Sequence, residues 1–284
     1  MSSVLFDTAG PRARARYRLY SLVSAVGLLA VLALIGWRMS ATGQLEYAKW
    51  EPFVTPDYIR AMLVDGLLKT VQMAFTSIIF AVVFGLVFGI GKLSEHAWLR
   101  WPCWVVVEFF RAVPLLLLIV FVFYAVGIGV TGIGPYWSLV IGLTLYNGSV
   151  LAEVFRAGIN AVPKGQGEAA YAIGMRKSQV MMSVLLPQGV KIMLPAIISQ
   201  CVVALKDTSL GFYIGAPGLT AVAKGIYGEF HNQVPTVLVM ASLYIVTNMV
   251  LSWVATLAQR RFVGERKVLV TDGANTGTGG VRDI

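Results

Sequence analysis

The chain has 284 residues, of which 57% are hydrophobic and only 13% are charged, whereas a soluble domain carries about a quarter charged residues. With a mean hydropathy of +0.74, this composition excludes an ordinary soluble protein and predicts a polytopic membrane protein. The net charge of +9 does not indicate nucleic-acid binding, because the basic residues stand in short segments between apolar runs, without interleaved aromatic residues to stack on bases.

Apolar runs in chain order predict an all-α membrane protein with six transmembrane helices. The first run follows a basic segment, residues 1–18, and has the length of a full span, which favours an uncleaved helix over a signal peptide. The last residues, 262–284, are rich in Gly and Thr and are predicted to form a disordered tail. The predicted spans cover residues 19–37, 66–91, 105–130, 137–155, 192–214 and 234–257.

Small residues and prolines mark features within these spans. Ala81, Gly85 and Gly89 recur every four residues in the second span, a stripe that lets another helix approach closely. Pro114 is expected in the first turns of the third span, where its missing N–H costs least. The glycine-rich residues 127–135 predict a turn.

The distribution of positive charge predicts the orientation. Cytoplasmic loops of membrane proteins carry an excess of Lys and Arg. Of the 23 such residues here, 17 fall in four alternate segments, so we expect a protein of the cytoplasmic membrane whose N- and C-termini are both cytoplasmic. These segments are residues 1–18, 92–111, 156–191 and 258–284.

The longest predicted cytoplasmic loop, residues 156–191, has the pattern of two short helices with a sharp bend between them. Pro163 suits the first turn of a helix, and Gly174 suits the left-handed position that ends one. Ser178 is expected to cap the second helix, which Pro187 ends or kinks. Small and apolar residues near the bend indicate either a docking surface for another protein or an amphipathic segment lying on lipid.

This loop resembles the EAA loop of permease subunits of ABC importers. The family pattern is Glu-Ala-Ala, three residues, Gly, nine residues, an aliphatic residue, any residue, and Leu-Pro. The chain matches it at every position, with Glu168, Ala169, Ala170, Gly174, Val184, Leu186 and Pro187.

Two further segments are similar to the same family. Residues 108–116 resemble its Phe-Arg-Gly-Thr-Pro-Leu-Leu segment and depart from it at Ala112 and Val113. Residues 205–210, Leu-Lys-Asp-Thr-Ser-Leu, resemble a signature of the branch that imports polar amino acids, and residues 146–149 are most similar to the glutamate-type permeases of actinobacteria. The resemblance covers residues 66–261 and makes the first span an addition to a common five-helix type I core.

The resemblance implies a permease subunit that has no catalytic activity of its own. A separate cytoplasmic ABC ATPase dimer would bind ATP and receive the EAA loop, an extracytoplasmic solute-binding protein would deliver glutamate or a related polar amino acid, and a second, distinct permease chain would complete the pathway. Alternating access would follow from ATP binding to the ATPase. The sequence has no Gly-x-x-x-x-Gly-Lys-Ser/Thr loop, and we expect no catalytic residue, cofactor or metal site in this chain.

The seven matching residues therefore form the predicted ATPase-docking loop. In this interpretation Gly174 provides the bend, the two alanines allow close seating, and Glu168 accepts hydrogen bonds or pairs with a basic residue of the ATPase. The membrane lipid is the other expected partner.

Charged and polar residues within the spans predict a second site. Intramembrane charges are costly and usually line a pathway or pair with one another, so the substrate path is assigned to Asn147, Lys206, Asp207, Thr208 and Ser209. A structural pair of Lys206 with Asp207 is the open alternative, although adjacent helical residues point about 100° apart.

We also expect two ion pairs at the cytoplasmic ends of spans, because each joins residues that are three apart on one helix face. They are Glu108 with Arg111 and Glu153 with Arg156.

The sequence leaves two alternative functions. A stand-alone secondary transporter or channel would favour internal inverted repeats, which we do not find. A membrane scaffold would not need residues 206 and 207.

Overall fold

The computed structural model describes residues 10–129 and 132–263, and these residues form helices without any strand. They divide into two units, one made of the chain up to Thr70 together with Ala216–Leu243, the other of Val71–Gly215 together with the chain from Tyr244 onward. The predicted tail from residue 264 and the first nine residues of the predicted basic segment lie outside the described residues.

The described α-helices are, in chain order, α1 (Pro11–Ala41), α2 (Tyr47–Trp50), α3 (Pro56–Arg60), α4 (Lys69–Lys92), α5 (Ala97–Ala112), α6 (Leu115–Val122), α7 (Gly134–Asn160), α8 (Lys164–Ala172), α9 (Lys177–Gln179), α10 (Leu186–Asp207), α11 (Leu219–Phe230) and α12 (Gln233–Val263). Segments of 3-10 helix occur at Glu51–Phe53 and Thr208–Ile214, and π-helical segments at Ala61–Leu68, Phe123–Gly127 and Val180–Leu185.

Hydropathy finds the apolar helices but underestimates their length. Five helical stretches of the described residues are long and apolar enough to cross a bilayer, and the number rises to six when a bent helix pair is counted as one span. This confirms an all-α membrane protein with five to six spans. The five stretches are Arg16–Ala41, Pro56–Lys92, Gly134–Asn160, Lys177–Ile214 and Gln233–Gln259.

The third span is not the continuous helix that we predicted over residues 105–130. Helix α5 ends at Ala112, α6 begins at Leu115, and the chain turns by 103° between them. Val113 and Pro114 are both extended, with ψ of 129° and 127°. A proline disfavours helical geometry in the residue before it, so the bend falls immediately before α6 and Pro114 is its N-cap residue.

The fifth span begins much earlier than the predicted residue 192, because helical geometry continues from Lys177 to Ile214. Pro187 does not end a helix, since it lies within this continuous helical stretch, directly after the π-helical segment Val180–Leu185. The prediction that Ser178 caps the second loop helix is also wrong. The N-cap residue is Arg176, whose backbone N–H donates to Gln179 Oε1 at 2.8 Å.

The predicted stripe of small residues is confirmed as a close contact between α4 and α7. A Cβ atom added to Gly85 would lie 2.8 Å from Leu151 Cβ, and one added to Gly89 would lie 2.8 Å from the carbonyl oxygen of Ala152. Ala81, the third residue of the stripe, is fully buried. The two helix backbones therefore approach to a distance that any larger side chain would prevent.

Helix α10 packs on α7 in the same way. A Cβ atom on Gly158 would lie 3.0 Å from Met193 Cβ, and one on Gly189 would lie 3.3 Å from Ile159 Cα. Helices α4, α7 and α10 together build one apolar cluster, formed by Ala81, Leu151, Phe155, Ile159 and Met193.

The other unit is held by polar contacts between segments far apart in sequence. Thr70 Oγ1 accepts a hydrogen bond from the Leu219 N–H at 2.9 Å, and the buried Asn232 donates to the Lys49 carbonyl at 2.7 Å. Tyr58 donates to Glu229 at 3.0 Å. These bonds join α11 and the start of α12 to the first turn of α4 and to the chain preceding it.

We predict that Gly89→Val destabilises the protein, because its side chain would overlap the backbone of α7. Overpacking of this kind costs roughly 1–3 kcal/mol. Gly27→Val in α1 is the matched control, since a Cβ atom there meets nothing within 4 Å. Thermal unfolding in detergent should show a lower midpoint for Gly89→Val than for Gly27→Val, and equal midpoints would contradict the close contact.

Candidate functional site

The predicted docking loop begins with a sharp turn after α7. Val162 is buried, and Pro163 is extended with ψ of 129° at the N-cap position of α8. The Pro163 carbonyl accepts a hydrogen bond from the Gln166 N–H at 3.0 Å, which closes the first turn. Proline thus starts α8, one position earlier than the first-turn site expected from the sequence.

The end of α8 is set by Gly174. Its φ of +84° is left-handed, which most other residues adopt only at an energetic cost. The Gly174 N–H donates to the Tyr171 carbonyl at 2.9 Å, and the Met175 N–H donates to the Ala170 carbonyl at 3.2 Å. This pair of bonds is a Schellman motif, so the predicted left-handed glycine and the bend that it makes are confirmed.

Helix α8 has one face packed against its own chain and another face exposed. Gly167 and Ala170, three residues apart, are buried. Glu168 and Ala169 are exposed, and the exposed apolar side chains of Tyr171 and Ile173 continue this surface, Ile173 being 79% exposed. The two alanines therefore have different environments, because only Ala169 is available to another protein.

The buried face of α8 rests on the Val180–Leu185 segment. A Cβ atom on Gly167 would lie 4.0 Å from Leu185 Cδ2, and Val180 is fully buried. Leu185 and Leu186 also pack against the apolar cluster of α4, α7 and α10. Of the other two predicted loop residues, Val184 is half-buried and Pro187 is exposed.

An ion pair links the start of α9 to the loop between α4 and α5. Lys177 Nζ pairs with a carboxylate oxygen of Glu95. The hydrogen bond and charge of Lys177 lower the pKa of Glu95, so this carboxylate is ionised at neutral pH. The chain after the Gly174 bend is thereby held by a second contact.

The residues of the predicted substrate path divide into two groups. Asn147, in the middle of α7, is buried and accepts a hydrogen bond from Gln200 Nε2 of α10. Asp207, at the end of α10, lies near Asn147 without forming a hydrogen bond to it among the described residues. Gln200 and Asp207 are seven residues apart, about two helical turns, and therefore share one face of α10. We call Asn147, Gln200 and Asp207 the polar cluster.

The other three predicted residues lie outside this cluster. Lys206 is exposed, and no ion pair joins it to Asp207 in the part of the chain that the structure describes. Thr208 is buried, and its hydroxyl donates to the Leu205 carbonyl at 2.6 Å. Ser209 is half-buried. Sequence reasoning did not include Gln200, for which an amide within an apolar helix was the available signal.

A network of ion pairs joins the ends of α4, α5 and α7. Both pairs predicted from their spacing are present, with Arg111 Nη1 at 3.1 Å from Glu108 and Arg156 Nη2 at 2.9 Å from Glu153. Lys92, whose side chain is only 4% exposed, connects them, since its Nζ lies 3.1 Å from Glu108 Oε1 and also contacts Glu153. Three helices are thus linked through one buried ammonium group.

The comparisons with known proteins agree on one family. Residues 81–264 match the family described as binding-protein-dependent transport system inner membrane component. The chain is 42% identical over 228 residues to the glutamate transport system permease protein GluD of Corynebacterium glutamicum, covering 78% of this chain and 83% of the relative. It is 36% identical to the probable glutamine ABC transporter permease protein GlnP of Bacillus subtilis, covering 71% and 92%.

A solved structure shares the fold. The crystal structure of an amino acid ABC transporter with histidines superposes with a TM-score of 0.66 at 28% identity, covering 72% of this chain and 95% of that chain.

We predict that Lys92→Met destabilises the bundle, because Glu108 and Glu153 would then face each other without the shared cation. Breaking a buried pair by removing one partner costs roughly 3 kcal/mol. The double variant Lys92→Met/Glu153→Gln removes the repulsion and should recover part of the thermal midpoint. Equal midpoints for the single and double variants would contradict the bridging role of Lys92.

Proposed function

This chain belongs to the family of binding-protein-dependent transport system inner membrane components as a permease subunit of an ABC importer, and we propose that it carries glutamate into the cell by alternating access driven by a separate ATPase. The observation that carries the proposal is the exposed face of α8, which is presented on a loop fixed to the membrane helices. The identity of 42% to a glutamate permease supports the cargo.

The ATPase contact is the surface formed by Glu168, Ala169, Tyr171 and Ile173. Its small and apolar side chains are exposed beside one carboxylate, and a contiguous apolar surface on a loop is typical of a protein interface. Because Gly174 and the Glu95–Lys177 pair restrain the following chain, a partner that moves α8 also moves the start of α10. The ATP itself would be bound by that partner.

The polar cluster is the proposed contact for the amino acid. A zwitterionic substrate presents an ammonium group, which a carboxylate such as Asp207 can pair with, and carboxylates, which accept hydrogen bonds from the amide groups of Gln200 and Asn147. An ionisable group inside a span commonly lines a pathway or pairs with a partner. Gln200 of α10 donates a hydrogen bond to Asn147 of α7, so movement of α10 against α7 would change the geometry around the substrate.

The orientation predicted from positive charge also assigns each proposed partner protein to one side of the membrane. With both termini cytoplasmic, the docking loop faces the ATPase dimer and the opposite ends of the spans face the solute-binding protein. A second permease chain, distinct from this one as in the glutamate-type resemblance, would complete the translocation pathway.

Reversing the charge of the docking surface tests the ATPase contact. We predict that Glu168→Arg abolishes glutamate uptake and copurification of the ATPase, because it places a cation where the partner meets a carboxylate. Glu51→Arg, an equal change at an exposed residue on the predicted opposite side, should leave copurification intact. Normal copurification and uptake in Glu168→Arg would exclude α8 as the docking element.

The cargo is tested separately in membrane vesicles that contain the complete complex and its binding protein. Labelled glutamate uptake should be competed by unlabelled glutamate more strongly than by neutral or basic amino acids. Asp207→Asn should lower the uptake rate without changing the affinity of the binding protein for glutamate, because only the permease has lost its carboxylate. An unchanged uptake rate in Asp207→Asn would exclude Asp207 from the pathway. Stronger competition by another amino acid would identify that amino acid, and not glutamate, as the cargo.

A further inference from the structure

A cavity of about 570 Å³ opens beside the ion-pair network, at the ends of α4, α5 and α7. Its size falls within the range of small-molecule sites, roughly 300–1,000 Å³. The family resemblance, the docking loop and the polar cluster leave this cavity without a role. It is lined by Lys92, Arg100, Trp101, Trp104, Glu108, Glu153 and Arg156.

The charge around the cavity favours an anion. The lining has three cations and two carboxylates, and a fourth cation, Arg111, pairs with the lining residue Glu108. Lys92 and Arg156 are engaged by the carboxylates. Arg100 differs from them, since its guanidinium donates to the Ser94 carbonyl at 3.2 Å and forms no ion pair among the described residues. Its positive charge is therefore available to a ligand in the cavity.

The tryptophans favour a ligand at the membrane surface. Positions 100, 101, 104 and 108 lie within one face of α5, and the rings of Trp101 and Trp104 are 6.3 Å apart between centroids. Trp101 is 66% exposed and Trp104 is 50% exposed. Tryptophan is enriched at the level of the lipid headgroups, and basic pockets between transmembrane helices bind phosphate-bearing headgroups.

We propose that this cavity binds the headgroup of an anionic phospholipid. The phosphate lies against Arg100, the rings of Trp101 and Trp104 contact the glycerol region and upper acyl chains, and the network of Lys92 supplies the surrounding positive potential. By the positive-inside orientation, the site faces the cytoplasmic leaflet. The proposal depends on the membrane location of the chain and is independent of the cargo.

The test measures lipid binding to the intact complex of permease, ATPase and partner chain by native mass spectrometry. Phosphatidylglycerol and phosphatidylcholine are titrated separately, and the wild-type complex should bind phosphatidylglycerol more tightly. Arg100→Gln should weaken phosphatidylglycerol binding about fivefold, the value expected for one basic residue near an anionic surface. Arg261→Gln, an equal charge change at an exposed residue outside the cavity, should leave binding unchanged.

The source of the phosphate is tested with the wild-type complex alone. Inorganic phosphate at millimolar concentration should not displace phosphatidylglycerol, because it lacks the acyl chains that contact the tryptophans. Displacement would assign the cavity to a soluble anion and overturn the lipid proposal. Equal affinities for the two lipids, or equal effects of Arg100→Gln and Arg261→Gln, would overturn it as well.

Discussion

The position of Leu185 between α8 and the membrane helices is the constraint on which the rest of the structure depends. Leu185 ends the Val180–Leu185 segment on which α8 rests, its Cδ2 lies 4.0 Å from where a Cβ atom on Gly167 would be, and it packs against the apolar cluster of α4, α7 and α10. The Val180–Leu185 segment therefore lies between α8 and the helices that carry the polar cluster. Packed interiors transmit displacement because they are close to incompressible, and the proposed ATPase coupling would use this connection between the loop and the membrane helices.

The buried ion pairs of Lys92 also hold neighbouring helices together. The ammonium group of Lys92 lies in an almost fully buried position that only paired carboxylates can stabilise, and Glu108 and Glu153 supply them from two other helices. The glycine stripe brings α4 against α7 and so places Lys92 within reach of Glu153. Apolar packing along the span and ion pairing at its end thus both hold α4 against α7.

Sequence alone predicted the parts of this arrangement that depend on local patterns. Hydropathy placed six spans, the spacing of Gly85 and Gly89 predicted a close helix contact, and Gly174 was assigned the left-handed position. The bend at Pro114 was missed because hydropathy does not detect a change of direction within an apolar run. The early start of the fifth span was missed because Pro187 was interpreted as an end or a kink of the loop helix, whereas the helical stretch continues through it. Lys92 is 61 residues from Glu153, and no local spacing predicts such a contact.

The central claim is that α8 drives the membrane helices through Leu185, and the number of amino acids carried per ATP hydrolysed tests it most directly. In the reconstituted complex with its binding protein, Leu185→Ala should retain the ATPase and its hydrolysis but carry fewer amino acids per ATP, because the packed link is loosened. Leu34→Ala, at an exposed position of α1, should keep the wild-type ratio. A wild-type ratio in Leu185→Ala would contradict the account.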